Sequence, residues 1–154
     1  MEKAQQKKLG KIIIGLCAHL GEKPKLSFNL SPEGDSDEVQ LTVADPNKLI
    51  GNYGETLIAL QHLSRLFLRR ELGYQHRFSL DVNNYRSERR EHLRQLALST
   101  AEKVDSEHRL IILRPMNAYE RRIVHISLAE DPRVGTESLG EDNERRVIIK
   151  PKNK

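Results

Sequence analysis

Two glycines three residues apart, Gly51 and Gly54, limit the fold more than any other feature of this 154-residue chain. On their N-terminal side Asp45-Pro46 is a strong helix start: an acceptor side chain, then a proline whose ring already holds a helical φ. Gly51 stops that helix after about a turn and a half. On the other side, Leu57, Leu60, Leu63, Leu66 and Phe67 predict a longer helix with a buried stripe, running from Gly54 to about Leu72, and Gly73 ends it. A Gly-x-x-Gly turn joining two helices end to end lets a ligand approach the backbone without intervening side chains. The second helix also points free N–H groups and its positive dipole end at that turn, which suits a phosphodiester.

Hydrophobic periodicity places the remaining elements. Leu9, Ile12, Ile13, Leu16, Cys17 and Leu20 recur at helical spacing, and Gly21 follows as a cap. Leu26, Phe28 and Leu30 alternate with polar residues, as do Val39, Leu41 and Val43. The polar Pro32 to Glu38 segment between these strands predicts a hairpin. Phe78, Leu80 and Val82 form a third strand. The order is α-β-β-α-α-β, a three-stranded sheet with helices on one face. The polar stretch Asp81 to Ser87 predicts a boundary near Asn84. Beyond it, Leu93, Leu96, Ala97, Thr100, Ala101 and Val104 predict a long helix, and Leu110 to Leu113 a strand covered on both faces. Pro115 ends that strand. Asn117 and Glu120 are spaced as a capping box, opening a helix to about Glu130. Two short strands close the chain, near Val134 to Ser138 and Arg146 to Lys150. The fold class is α+β, with residues 1–83 forming one domain and 84–154 a small α-β-α-β-β domain.

Charge is segregated along the chain. Residues 1–48 hold seven lysines and no arginine, whereas residues 65–146 hold all fifteen arginines and one lysine, Lys103. Arginine's planar fork pairs with phosphate and stacks on bases, so the second region leans towards a polyanion. No apolar run approaches the length of a membrane span. Lysines ahead of Ile12-Ile13-Ile14 superficially resemble a signal peptide, but the apolar stretch is short and contains His19. A single cysteine, Cys17, cannot form an internal disulfide and fits a reducing cytosol.

Within the basic half, Arg121 and His125 are four apart and share a helical face, opposite Tyr119, Ile123 and Ile126. An arginine beside a histidine on an outward surface can hold a phosphate. His62-x-Ser64 and His125-x-Ser127 superficially resemble the paired elements of two-histidine phosphoesterases. That chemistry needs both histidines on converging strands, and these two sit in helical patterns in different domains. The expectation is a binding protein with no catalytic residue, no cofactor and no metal; the histidines and Cys17 have no zinc spacing.

Residues 1–83 resemble a KH domain of the bacterial topology. The resemblance implies that Gly51, Asn52, Tyr53 and Gly54 clamp the backbone of about four nucleotides. Ile50 is then expected in an apolar groove for the bases. KH domains usually carry a basic residue between the glycines. Here Asn52 is left to bond phosphate and Tyr53 to stack on a base, with Lys48 just upstream. Residues 86–152 resemble the Arg-x-x-x-His domain family. The match includes Pro115-Met116-Asn117, Tyr119-Glu120-Arg121-Arg122, Thr136-Glu137-Ser138 and Arg145-Arg146-Val147-Ile148-Ile149. It implies that Arg121 and His125 are the signature pair, that Arg122, Arg145 and Arg146 support them, and that Asn117 and Glu120 are caps.

A KH domain followed by this module is the arrangement of the bacterial Jag family, also called KhpB. That resemblance implies a cytoplasmic protein binding single-stranded RNA, with single-stranded DNA as a second candidate. The expected role is post-transcriptional regulator or RNA chaperone in cell-envelope or division control, with a second copy or a small KH-domain protein as partner. Longer members carry an extra N-terminal domain, which this chain is expected to lack. The alternative expectation is a protein-interaction scaffold whose KH domain dimerises or pairs with a small KH protein and binds little RNA.

Overall fold

A computed structural model describes residues 1–29, 36–73 and 76–152. The chain divides into two compact units, Met1–Arg86 and Ser87–Lys154, each with its own apolar cluster.

The first unit contains α1 (Lys3–His19), β1 (Lys25–Asn29), β2 (Asp37–Thr42), α2 (Asn47–Ile50), α3 (Glu55–Leu72) and β3 (Phe78–Val82). Helix α1 buries Leu9, Ile13 and Cys17, four residues apart on one stripe. It ends where Gly21, at φ +78°, turns its N–H back to the Ala18 carbonyl. β1 and β2 are antiparallel, with Leu26 opposite Leu41 and Phe28 opposite Val39. β2 runs parallel to β3, a pairing that needs a crossover, and α2 and α3 supply it. Leu30 and residues 31–35 of the expected strand end and turn lie outside the described residues. The core gathers α1, the inward faces of β2 and β3, Leu49 of α2, and Leu57, Leu60 and Leu68 of α3.

β3 is a sheet edge, and its outward backbone groups are taken by side chains. Gln61 Oε1 accepts from the Leu80 N–H at 2.9 Å, and Arg86 Nε donates to the Leu80 carbonyl at 2.9 Å. Arg65 donates to the Phe78 carbonyl through both Nε and Nη2. Occupied in this way, the edge offers little for another strand to pair with. Asp81, expected in a polar turn, is buried within β3. Its carboxylate accepts from the backbone N–H groups of Val82 and Arg86, at 2.9 and 3.2 Å.

The buried stripe of α3 departs from expectation in its second half. Leu57 and Leu60 are buried, but Leu63, Leu66 and Phe67 are 41, 49 and 43% exposed, and Ser64 and Leu68 take the inner positions. Steps of three drift backwards round a 3.6-residue helix, whereas the run 57, 60, 64, 68 keeps phase with it.

The second unit holds most of α4 (Tyr85–Glu107), then β4 (Ile111–Ile112), α5 (Ala118–Leu128), β5 (Val134–Leu139) and β6 (Arg146–Pro151). Its sheet has the order β4-β6-β5, antiparallel throughout. Leu93, Ala97, Ala101 and Val104 of α4 meet Val124 and Leu128 of α5 and Val134, Val147 and Ile149 of the sheet. The apolar run at 110–113 is not covered on both faces. β4 is a two-residue edge strand, and Leu110 and Ile112 are 52 and 49% exposed. Helices cover only one face of this sheet, so alternate residues point outwards. Among the described residues, no helix is long and apolar enough to cross a membrane.

Candidate functional site

The Gly-x-x-Gly turn is built by local rules. Pro46 has helical backbone angles (φ −78°, ψ −14°), and the Asp45 carboxylate accepts from the Asn47 N–H at 3.1 Å. Gly51 then swings to φ +69°, ψ −172°, where a Cβ would overlap the Thr56 hydroxyl and lie 2.8 Å from its Cβ. Gly54 adopts φ +83°, and a Cβ there would sit 3.1 Å from the Tyr85 ring. Both glycines therefore answer to close packing as well as to a left-handed backbone.

The predicted residues separate here. Asn52 and Tyr53 are exposed at the tip, with Tyr53 itself at φ +52°. Gly54 is buried and Gly51 partly so. Ile50 is half-buried against the core, while Leu49 anchors α2 completely. Lys48 is exposed, but its Nζ pairs with Glu22 Oε1 at 3.1 Å. Glu55 occupies the first turn of α3, where the helix dipole favours an acid and where it opposes a bound anion.

In the second unit, Asn117 and Glu120 form a reciprocal capping box. The Glu120 N–H donates to Asn117 Oδ1 at 3.0 Å, and the Asn117 N–H to Glu120 Oε2 at 3.3 Å. The other Glu120 oxygen receives Arg89 Nε at 2.7 Å, so a buried carboxylate is held by a salt bridge and two backbone groups of one turn. This arrangement fixes the roll of α5. Its inward residues are Glu120, Val124 and Leu128. The expected inner face of Tyr119, Ile123 and Ile126 is the outer one, with Tyr119 51% and Ile126 62% exposed.

Arg121 and His125 flank the buried stripe on the β5 side rather than standing opposite it. Arg121 Nη1 donates to the Met116 carbonyl at 2.7 Å. His125 Nδ1 lies 2.7 Å from Thr136 Oγ1 and Nε2 lies 2.8 Å from Ser138 Oγ. Both ring nitrogens, expected to be open to a ligand, are thus engaged with hydroxyls on one face of β5. A neutral imidazole donates through one nitrogen and accepts through the other, and a hydroxyl serves either role. Partial burial, then the nearby Arg121 charge, lowers the His125 pKa from its ordinary value, favouring the neutral ring. Arg122 and Arg145 are exposed. Arg146 is partly exposed and pairs with Glu144 Oε2 at 2.6 Å.

Two further groups went unread in the sequence. Thr136 and Ser138 stand two apart on a strand, which is the signal that they share a face. His62, Arg65 and Arg69 lie along one side of α3 and, with Ser36, His76 and Arg77, line a cavity of about 410 Å³. Their helical spacing was visible, but the second wall comes from residues before β3. Among the described residues no cluster of side chains could hold a metal ion.

Comparison with known proteins adds three findings. Residues 91–151 match the Arg-x-x-x-His domain family, named for an arginine and a histidine three residues apart. The chain is 40% identical over 128 residues to RNA-binding protein KhpB of Clostridium symbiosum, covering 80% of this chain and 58% of that protein. It is 39% identical over 106 residues to the protein of the same name from Bacillus subtilis (strain 168), covering 68% of this chain and 51% of that one. The chain therefore spans a little over half the length of these two curated relatives.

Proposed function

We propose that this chain, a KhpB-family protein carrying an Arg-x-x-x-His domain, binds single-stranded RNA through two separate surfaces, one in each unit. The observation that carries this reading is the extent of the likeness. An alignment of 128 residues is longer than either unit, so both contribute to the similarity with a protein named for RNA binding. The α-β-β-α-α-β order, with Gly-x-x-Gly between its second and third helices, supports reading the first unit as a KH domain. Its exposed tip, Asn52 and Tyr53, provides an amide for phosphate and an aromatic face for a base. In the second unit Arg121, Arg122 and Arg145 are the cations for the strand, and His125 holds α5 against β5 beside them. Two weak sites on one chain raise each other's effective concentration, so a strand long enough to reach both is held more tightly than by either alone. A cytoplasmic role in post-transcriptional control of envelope or division genes extends the same reading.

The test is fluorescence anisotropy of a labelled single-stranded RNA. Gly54 is an unsuitable target, because any side chain there meets the Tyr85 ring. Asn52→Asp with Tyr53→Asp adds negative charge at exposed positions instead, and is expected to weaken binding at least tenfold. Arg121→Ala with Arg122→Ala is expected to weaken it comparably. Parent-like binding by either variant rejects the corresponding surface.

One observation favours a second reading, a protein-interaction scaffold. Ile58, Leu63, Leu66 and Phe67 of α3 are all exposed, an apolar set that a second copy or a small KH protein would cover. Sedimentation showing a stable dimer, together with no RNA binding at low salt, would put that reading first.

A further inference from the structure

We infer that the outer face of α5 and the adjacent face of α4 form a subsite for a single unstacked nucleobase. This rests on the single-stranded RNA reading and assigns residues that it does not use.

A groove of about 320 Å³ lies between the two helices, lined by Arg90, Arg94, Tyr119, Arg122, Ile123 and Ile126, with Ser127 at its edge. That is the low end of the size range of small-molecule sites, enough for one planar ring. On α5, Tyr119, Arg122 and Ile126 fall within a sector of roughly 60°. Ile126 is 62% exposed, the most exposed large apolar residue among those described, and Tyr119 is 51% exposed. An isolated apolar side chain at a surface needs no explanation, but an aromatic ring, two isoleucines and three arginines around one groove have a shared chemistry. The apolar floor matches the face of a base, and the cationic rim matches the phosphates on either side of it.

The groove's parts are also held in place. Arg90 Nη2 donates to the Tyr119 hydroxyl at 3.0 Å, which restrains the ring as a platform. Arg94 is occupied by a two-bond pair with Glu91, at 3.0 and 3.1 Å. Arg90 and Arg122 have no acidic partner among the described residues and are the cations left for phosphate. Arg122 sits on α5 between His125 and Ile126 in angle, so a strand passing the signature pair reaches this groove next.

The chain contains no tryptophan, so Tyr119→Trp creates a single local reporter at a half-exposed position. The full-length variant is titrated with an end-labelled oligouridylate while label anisotropy and tryptophan emission are followed together. The expected result is emission falling with the same midpoint as the anisotropy rise, and unchanged emission when an abasic strand of equal length binds. Tyr119→Ala is expected to lose roughly 5- to 150-fold in affinity, the span of one base–aromatic stack, and Tyr119→Phe to stay within about twofold of the parent. Binding without an emission change overturns the subsite and leaves RNA binding standing, as does a Tyr119→Ala variant of parental affinity. A Phe variant as weak as the Ala variant overturns stacking in favour of the hydroxyl–Arg90 bond. Absence of any anisotropy change for the parent removes the RNA reading and this subsite with it.

Discussion

At Gly51 two constraints meet that a glycine elsewhere faces singly. Gly73, at φ +77°, has nothing within 4 Å of a built Cβ, so Gly73→Ala is expected to cost only left-handed strain, about 1–2 kcal/mol. Gly51→Ala adds overlap with Thr56 to the same strain, and is expected to cost clearly more in denaturant unfolding of the first unit. An equal cost for the two would mean that the contact with Thr56 relaxes freely. His125 carries the second prediction at this scale. Its pKa is lowered in the fold by burial and by Arg121, so the unfolded chain binds the proton first. The neutral ring's contribution is whole above about pH 6.5, the ordinary histidine value, and is lost as pH falls below it. The thermal midpoint of the second unit should therefore drop between about pH 6.5 and 5 in the parent, and drop less in His125→Gln. Identical pH profiles would show that the ring's hydroxyl contacts do not depend on its charge.

The elements show how far a pattern reaches before packing takes over. The capping box of α5 was legible because its two partners are three residues apart and bond each other. The roll of that helix was not. It is set by Arg89, thirty-one residues upstream, drawing Glu120 into the interior. α3 teaches the same lesson: five apolar residues predicted a stripe, but the sheet selects only those in phase with Leu57 and Leu60. Ser64 takes an inner position that the pattern assigned to Leu63, and its Oγ is buried with no hydrogen-bond partner among the described residues. Ser64→Ala is accordingly expected to be neutral or to stabilise the first unit by about 1 kcal/mol, measured by denaturant midpoint. A loss of more than that amount would mean that the hydroxyl is satisfied in solution.

For the whole molecule, two separate clusters of buried residues mean two cores on one chain. Residues 87–154 expressed alone should fold, and should bind single-stranded RNA more weakly than the full chain by the loss of tethering. If phosphate contacts dominate, the logarithm of affinity should fall linearly with the logarithm of salt, by about 0.7 per phosphate neutralised. A flat salt response would indicate recognition by apolar contact alone. Local rules read from the chain in order were enough to foresee the alternating helices and strands, the glycine-bounded turn and the asparagine–glutamate cap, because each is decided by residues a few positions apart. Which apolar residues go inwards, that Lys48 is tied to Glu22, and that His125 is spanned by Thr136 and Ser138 were settled only in three dimensions. Those outcomes depend on partners far away in sequence, and on a competition for a limited interior that periodicity cannot express.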